Sequence, residues 1–432
     1  MATNVTFMKG NQKIRLLRKQ LRLTQGDFQD DNFTRGYLGL LENGKRNITY
    51  HASRYIAARL MEKAREMGIN LAISDDYFSR SVEKDAYIYC ENELNKKLGL
   101  DELEEIVEIG KKYNLYAVMC KAYRMQGDIY YINKQYMDAC RSYLFSLEMQ
   151  NRINDSSEMN LALIGIGVCK CKLMQYEEAL IYLKKVISNS DEIQDRKLIK
   201  SALYNCASCY KGKGDLLNAM DCIEKFINEF PNTMDDYDIY IRGLKANCYE
   251  HENDIDKAIE IYKEMYDSLS KKKDSYYIKK LAFVCNNLAS LEFDKKNYTK
   301  ALEYYNESQN IRSKYDPEYV SRTLIEKSQI YIEKGLYDEA LMIVNLGIEK
   351  AKEYNDYSYM AVAYNKLETI YSNMGLLEEL KSAINYSIKL YTKLGDKLRC
   401  IEEYNKLQKI YFDDDDFKQA KKCTDIIENM LQ

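Results

Sequence analysis

The sequence predicts an all-α protein in which a small N-terminal helical domain precedes a long array of repeated helical hairpins. The chain has 432 residues but only 2 prolines and 18 glycines, so it has few of the residues that interrupt helices. A short motif centred on an alanine recurs about every 40 residues through the C-terminal three quarters of the chain. Such a fixed period is the sequence signature of a repeat architecture.

The recurring motif is easiest to recognise by its alanine, which follows a turn and opens a helix. It occurs as QYMDAC (Ala139), QYEEAL (Ala179), DLLNAM (Ala219), DIDKAI (Ala258), NYTKAL (Ala301), LYDEAL (Ala340) and DFKQAK (Ala420), with Leu380 at the same place in LLEELK. A tyrosine often stands nine residues before this position, as at Tyr130 and Tyr331. A small residue often stands twelve before it, as at Gly127 and Gly167.

This order of small residue, tyrosine, turn and alanine resembles the tetratricopeptide repeat over about residues 102–432. The resemblance implies a right-handed superhelix with a concave inner surface, because two antiparallel helices bury their apolar stripes only by stacking on neighbouring pairs. We expect a repeat domain over residues 81–432 with about eight or nine hairpins, a linker over 67–80 and a separate domain over 1–66.

The N-terminal domain differs from the rest of the chain in charge. Residues 1–66 contain 13 Lys and Arg against 6 Asp and Glu, a net charge of +7, whereas the remainder carries −10. A basic domain joined to an acidic body indicates a module that faces nucleic acid. Apolar spacing predicts a first helix through Ile14, a second that begins at a capping box of Thr24 and Asp27, a third from Thr34 to Asn43-Gly44, and a fourth through Ile56.

The segments LTQ and TRGYLGLLENGKRN resemble the helix-turn-helix of the lambda-repressor/Xre class. That class places its third helix in the major groove of DNA. The resemblance implies that Thr34, Arg35, Gly36, Tyr37 and Leu40 face the groove, with Arg35 the candidate for guanine. It also implies that Gln25, Asn43, Lys45 and Arg46 meet the DNA backbone.

An Xre-type head joined to tetratricopeptide-like repeats resembles the RRNPP family of Gram-positive bacteria over the entire chain. The resemblance implies a cytoplasmic transcriptional regulator for quorum sensing. It also implies a homodimer that binds double-stranded operator DNA and is switched by a short imported signalling peptide in the concave groove. The 12 cysteines are scattered through helical patterns, which fits a reducing compartment.

An extended peptide presents unpaired backbone groups, and the amides of Asn and Gln pair with them in bidentate fashion. A further register position of the same helices supplies Tyr240, Phe283 and Arg322, and Arg242 and Arg322 could meet a peptide carboxylate. The repeat register therefore predicts the peptide-binding residues Asn205, Tyr240, Arg242, Asn247, Phe283, Asn286, Asn287, Arg322, Gln329, Asn365 and Asn405.

Two other functional classes stay open. One is an effector that binds response-regulator proteins or acts as a phosphatase, for which Glu91, Glu104 or Gln126 could be imagined as the active side chain. The other is a phage-type repressor controlled by a protein partner. We expect no enzyme activity, cofactor, metal site or membrane association. Cys206 and Cys209 in CASC are predicted to pack in a helical core and not to bind zinc.

Overall fold

A computed structural model describes residues 5–30, 33–153, 158–189, 195–231, 233 and 235–431. All regular secondary structure in these ranges is helical, which confirms the predicted all-α class. None of the helices found there combines the length and the apolarity needed to span a bilayer. The chain divides into two compact units, Met1–Cys222 and Ile223–Gln432, which are described separately below.

The first unit begins with a small head made of helices α1 (Gly10–Gln20), α2 (Arg35–Glu42) and α3 (Tyr50–Glu66). The predicted second helix is only a 3₁₀ turn, Gln25–Phe28. The capping box forms, because the Asp27 carboxylate accepts hydrogen bonds from the Thr24 backbone N–H at 2.6 Å and from its hydroxyl at 2.8 Å. The turn ends at Gln29, whose backbone is extended.

The core of the head contains the residues that the apolar spacing selected. Ile14, Leu38, Leu41, Ile56 and Leu60 are fully buried. Phe78, which belongs to the segment predicted as a linker, is also buried in this core. The head is therefore closed by a side chain from beyond residue 66.

The remaining helices form antiparallel hairpins. Those that begin in the first unit are α4 (Val82–Leu94), α5 (Leu100–Tyr113), α6 (Tyr116–Ile132), α7 (Tyr136–Ile153), α8 (Met159–Lys172), α9 (Tyr176–Ser188), α10 (Arg196–Gly212) and α11 (Leu216–Glu229). The second unit continues with α12 (Asp236–His251), α13 (Ile255–Leu269), α14 (Ser275–Asp294), α15 (Tyr298–Tyr315), α16 (Val320–Glu333), α17 (Tyr337–Glu353), α18 (Tyr357–Met374), α19 (Leu377–Leu394), α20 (Lys397–Asp413) and α21 (Phe417–Leu431).

The alanine of each repeat lies where the two helices of a hairpin cross. All seven of these alanines are fully buried, and Leu380 is partly buried at the eighth position. The small residues twelve positions before these alanines also allow the two helices of a hairpin to approach closely. A Cβ atom on Gly127 would lie 2.6 Å from the Tyr143 ring, and one on Gly167 would lie 2.6 Å from Leu183. Side chains from the second helix therefore fill the space that glycine leaves.

The turns of the eight hairpins that carry the alanine motif, from α6–α7 to α20–α21, share one backbone feature. A residue with positive φ stands five positions before the alanine site, at Lys134, Met174, Gly214, Asn253, Lys296, Gly335, Gly375 and Asp415. Glycine adopts this left-handed conformation at little cost, whereas other L-residues pay for it. The hairpin geometry thus imposes strain in the repeats that lack glycine there.

Candidate functional sites

A pocket of about 470 Å³ lies in the second unit, between the first helices of three successive hairpins. Tyr240 of α12, Phe283 of α14 and Arg322 of α16 all line it. These three residues occupy the same register position in three repeats, so the structure brings together three of the four aromatic and cationic residues in the predicted peptide set. Further lining residues, which the sequence interpretation missed, are Tyr276, Lys279, Lys280, Arg312, Asp316, Glu318 and Tyr319.

Lys280 organises the aromatic end of the pocket. Its ammonium group donates a hydrogen bond to the Tyr240 hydroxyl at 3.1 Å and forms an ion pair with Asp236. It also lies 4.9 Å from the centre of the Tyr240 ring and 5.4 Å from that of Tyr276. The Phe283 ring meets Tyr240 edge to face, with centroids 6.0 Å apart. These contacts hold the rings in place before any ligand arrives.

Arg322 forms the opposite side of the pocket. Its guanidinium lies between two rings, 4.5 Å from the centre of Tyr319 and 4.6 Å from that of Tyr359. Asp356 pairs with it at 3.2 Å. About a third of the Arg322 side chain is exposed, so the group is fixed in position and still reachable.

Arg312, at the end of α15, supplies a second guanidinium and is buried, with 6% of its surface exposed. Its Nη1 donates to the Thr323 hydroxyl at 2.7 Å, the Tyr319 carbonyl at 3.1 Å and Asn286 Oδ1 at 3.4 Å. The sequence did carry a signal for this residue. Ala301, Tyr305 and Ser308 form the buried stripe of α15, and an arginine continues that stripe.

Three predicted amides use their donors inside the protein. The side chains of Asn205 and Asn287 turn back and donate to the carbonyls of Ser201 and Phe283 in their own helices, at 2.7 and 2.8 Å. Asn286, which was predicted on an inward position, is buried and donates to Glu326.

The other predicted peptide residues are also held by neighbours or lie away from the pocket. Asn365 donates to the Tyr391 hydroxyl and Gln329 donates to Glu333, both at 3.0 Å. Arg242 pairs with the fully buried Asp238 at 3.0 Å and does not line the pocket. Asn247 is half-buried, whereas Asn405 is exposed.

In the head, the predicted DNA-contacting cations lie at both ends of α2, Arg35 at its start and Lys45 and Arg46 just after its end. Arg35, Lys45 and Arg46 are exposed, as are Gly36 and Asn43, and Leu40 is 42% exposed. The helix ends at Asn43, and Gly44 has the positive φ typical of a glycine C-cap. Tyr37 is half-buried, with its ring against Phe33 and the Arg46 guanidinium 5.2 Å from its centre.

Two of the predicted DNA residues have structural partners. Thr34 caps α2, because its hydroxyl accepts from the Tyr37 N–H at 3.2 Å. The Gln25 amide donates to the buried Glu42 carboxylate at 2.8 Å, and Arg18 donates to the same group at 2.6 Å. Burial opposes ionisation of Glu42, but these hydrogen bonds outweigh it and lower the pKa of Glu42. Gln25 therefore helps to fix α2 against the 3₁₀ turn, while Arg18 fixes it against α1.

The side chains considered for a phosphatase-type role do not form an open catalytic arrangement. Glu91 is paired with Lys121 at 2.9 Å. Gln126 is buried and donates to Glu104 at 3.2 Å. Cys206 and Cys209 are buried in α10, as predicted for core residues.

Two segments match family profiles described as tetratricopeptide repeat, over residues 282–353 and 201–233. The hairpins are of the tetratricopeptide type. A curated relative, tetratricopeptide repeat protein 29 of Macaca fascicularis, is 22% identical over 165 residues, which is 37% of this chain and 34% of that relative. The chain thus matches about a third of the relative's length.

Solved structures extend the similarity to most of the chain. The apo form of the quorum sensor NprR from B. thuringiensis is 18% identical with a TM-score of 0.53, over 82% of this chain and 100% of that one. The apo form of RapI is 12% identical with a TM-score of 0.52, over 81% and 96%. A STAND protein with a tetratricopeptide repeat sensor from Pyrococcus horikoshii has 14% identity and a TM-score of 0.51, over 98% and 72%. At these identities the similarity establishes the fold.

Proposed function

We propose that this protein is a cytoplasmic, peptide-responsive transcriptional regulator of the quorum-sensing type. Its head binds operator DNA as part of a homodimer, and a short imported signalling peptide binds the repeats and switches that activity. The observation that carries the proposal is the pocket formed by Tyr240, Phe283 and Arg322. Three equivalent positions in consecutive repeats converge there on a fixed aromatic and cationic surface, an arrangement suited to an extended peptide.

The fold similarity to NprR, which is described as a quorum sensor, supports the proposal. That similarity covers 82% of this chain and the whole of the NprR chain. Because the same fold serves many functions, the proposal depends on the side chains of the pocket and on the charge of the head.

The DNA-binding part of the proposal rests on charge and exposure. Arg35, Lys45 and Arg46 lie exposed at the two ends of a short helix whose Leu38 and Leu41 are fully buried. Exposed cations placed on a rigid helix neutralise phosphates and release counterions, which gives salt-dependent affinity. Glu42 is the one acidic residue of α2, and it is buried and paired with Arg18, so its charge does not face outward.

The DNA assignment is tested by selecting bound sequences from a random duplex library. We expect the wild-type protein to enrich a sequence with dyad symmetry, and the Arg35→Ala/Lys45→Ala double variant to enrich none while its circular dichroism is unchanged. Lys96→Ala/Lys97→Ala removes the same charge from an exposed connection outside the head and is the matched control. Enrichment by the Arg35/Lys45 variant equal to that of the control would refute the assignment.

The peptide assignment is tested with a library of short synthetic peptides and equilibrium dialysis followed by mass spectrometry. Tyr240→Ala with Phe283→Ala removes two walls of the pocket, and we expect peptide retention to fall about tenfold or more. Tyr386→Ala removes an exposed tyrosine of α19 that does not line the pocket, and is the control. Retention that is insensitive to the pocket variants would place peptide binding elsewhere.

A further inference from the structure

The buried Arg312 guanidinium has no carboxylate partner among the residues that the structure describes, although it lines the pocket. The other three cations of the lining do have one. Lys280 pairs with Asp236, Arg322 with Asp356, and Lys279 lies 3.8 Å from Asp316. The three hydrogen bonds that Arg312 donates all go to neutral oxygens.

The carboxylates around Arg312 act on it only from beyond direct contact, and Glu318 and Asp316 also line the pocket. Glu326 accepts hydrogen bonds from Asn286 and, at 3.2 Å, from the Tyr359 hydroxyl. Asp316 is the partner of Lys279. Burial lowers the pKa of Arg312 and outweighs the opposing effect of the Glu326 and Asp316 charges. A buried charge that no carboxylate contacts directly is unfavourable, and at the wall of a pocket a bound anion can supply that contact.

We propose that this pocket recognises a carboxylate group of the peptide ligand, with Arg312 and Arg322 as the groups that bind it. The inference rests on the proposed function, because it assigns the chemistry of the ligand at the same site. The planar guanidinium suits a carboxylate, and among the described residues only Nη1 of Arg312 donates hydrogen bonds to the protein.

The surroundings define which part of a peptide fits. Tyr240 and Phe283 lie across the same pocket from Arg322, so an apolar side chain next to the carboxylate would pack on their rings. A carboxylate on a peptide comes either from the free C-terminus or from an Asp or Glu side chain. Both sources present the same group to the two arginines.

Three synthetic libraries of short peptides separate these sources. The first has free C-termini and no Asp or Glu, the second is C-terminally amidated with a single Asp or Glu, and the third is amidated without acidic residues. Each is dialysed against the wild-type protein, and retained peptides are quantified by mass spectrometry. We expect the first or the second library to be retained about tenfold or more above the third, since a hydrogen-bonded charge partner contributes at that level.

Variants then test which groups bind the carboxylate. We expect Arg312→Met to lower retention of the carboxylate-bearing peptides to the level of the third library, while retention of the third library stays unchanged. Because Arg312 also holds Thr323 and Tyr319, its variant is checked by circular dichroism. Lys280→Met is the second test and is expected to reduce the preference about threefold through lost long-range attraction. Lys350→Met, an exposed cation of α17 in the same unit, is the charge-matched control and is expected to change nothing.

The outcomes distinguish the two proposals. Equal retention of all three libraries by the wild-type protein would overturn the carboxylate assignment and leave peptide binding intact. Retention of none of them would overturn both. A folded Arg312→Met protein that still retains carboxylate-bearing peptides above the neutral library would show that the carboxylate is recognised outside this pocket. Equal effects of Lys280→Met and Lys350→Met on that ratio would show the same.

Discussion

Lys13 of α1 and Asp85 of α4 form an ion pair in which both side chains are nearly buried, with 6% and 11% of their surfaces exposed. Lys13 also donates to the Tyr77 carbonyl at 2.9 Å. Near the start of α1, a Cβ atom on Gly10 would lie 1.9 Å from the Phe78 carbonyl oxygen, so only glycine fits there. The head is thus connected to the first repeat helix by buried polar contacts and by close backbone packing.

Removing one partner of this pair should destabilise the head selectively. Asp85→Asn leaves the Lys13 charge buried without a counter-ion, which costs about 3–5 kcal/mol in comparable buried pairs. We expect hydrogen exchange of the α1 amides to accelerate accordingly, with little change in α18–α21. The double variant Lys13→Met/Asp85→Leu removes both charges and should restore most of the protection. Equal exchange in the single and double variants would contradict a contribution from the ion pair.

Gly36 offers a sharp test of whether α2 faces DNA. Apart from its chain neighbours and the backbone of its own helix, no described residue places a heavy atom within 4 Å of the position that a Cβ atom would occupy there. Gly36→Ala should therefore fold normally and stabilise α2 by about 0.5–1 kcal/mol, because alanine favours helix more than glycine. Gly36→Glu places a negative charge on the proposed DNA face and should abolish DNA retention. If both variants bind selected duplexes as well as the wild-type protein, α2 does not enter the groove.

The repeats could be predicted from the sequence because stacking imposes a strict period on small residues. Every alanine in the motif is buried for that reason, and Tyr240, Phe283 and Arg322 converge because they share a register position. What the period does not determine is the direction of a polar side chain. Asn287 lies on a first helix as predicted, but its amide returns to the carbonyl of Phe283 one turn earlier.

The parts that the sequence did not predict depend on contacts between distant segments. Phe78 enters the head core from a stretch without helical periodicity. Arg312 gains its role from Tyr319, the last residue of the 3₁₀ turn Pro317–Tyr319, and from Thr323 in the helix that follows. A charged residue on the buried stripe of α15 was visible in the sequence, but its neighbours were not.

Replacing a strained residue in a hairpin turn by glycine should increase the stability of the protein. Met174 has a φ of 61° and is 73% exposed, so its side chain contributes little while its backbone is strained. Met174→Gly should raise the free energy of unfolding by about 0.5–1 kcal/mol, the balance of relieved strain and the greater flexibility of unfolded glycine. Gly214→Ala introduces strain at the equivalent turn and should lower the thermal midpoint measured by circular dichroism. A lower midpoint for Met174→Gly as well would contradict this explanation.

Two carboxyl groups lie together in the C-terminal repeats. Glu368 of α18 accepts hydrogen bonds from Ser387 at 2.7 Å and from Lys406 at 2.8 Å. Lys406 also donates to Glu403 of α20 at 2.8 Å. The second oxygen of Glu403 is buried and has no hydrogen-bond partner among the described residues. Burial, with the adjacent Glu368, raises the pKa of Glu403 to about 7, although Lys406 opposes the shift.

The raised pKa of Glu403 predicts a pH-dependent loss of stability. Below the unfolded pKa of about 4.5 the group is protonated in both states. As pH rises towards 7 the unfolded chain releases its proton more readily than the folded protein, so the free energy of unfolding falls. Glu403→Gln stays neutral and should be more stable than the wild-type protein at about pH 8, by the order of 1–3 kcal/mol, and similar to it near pH 4.5.

Thermal midpoints across this range measure the effect. Glu402→Gln, an exposed neighbour on α20, should shift neither end of the curve. A constant difference between Glu403→Gln and the wild-type protein at every pH would exclude titration of Glu403 as its cause.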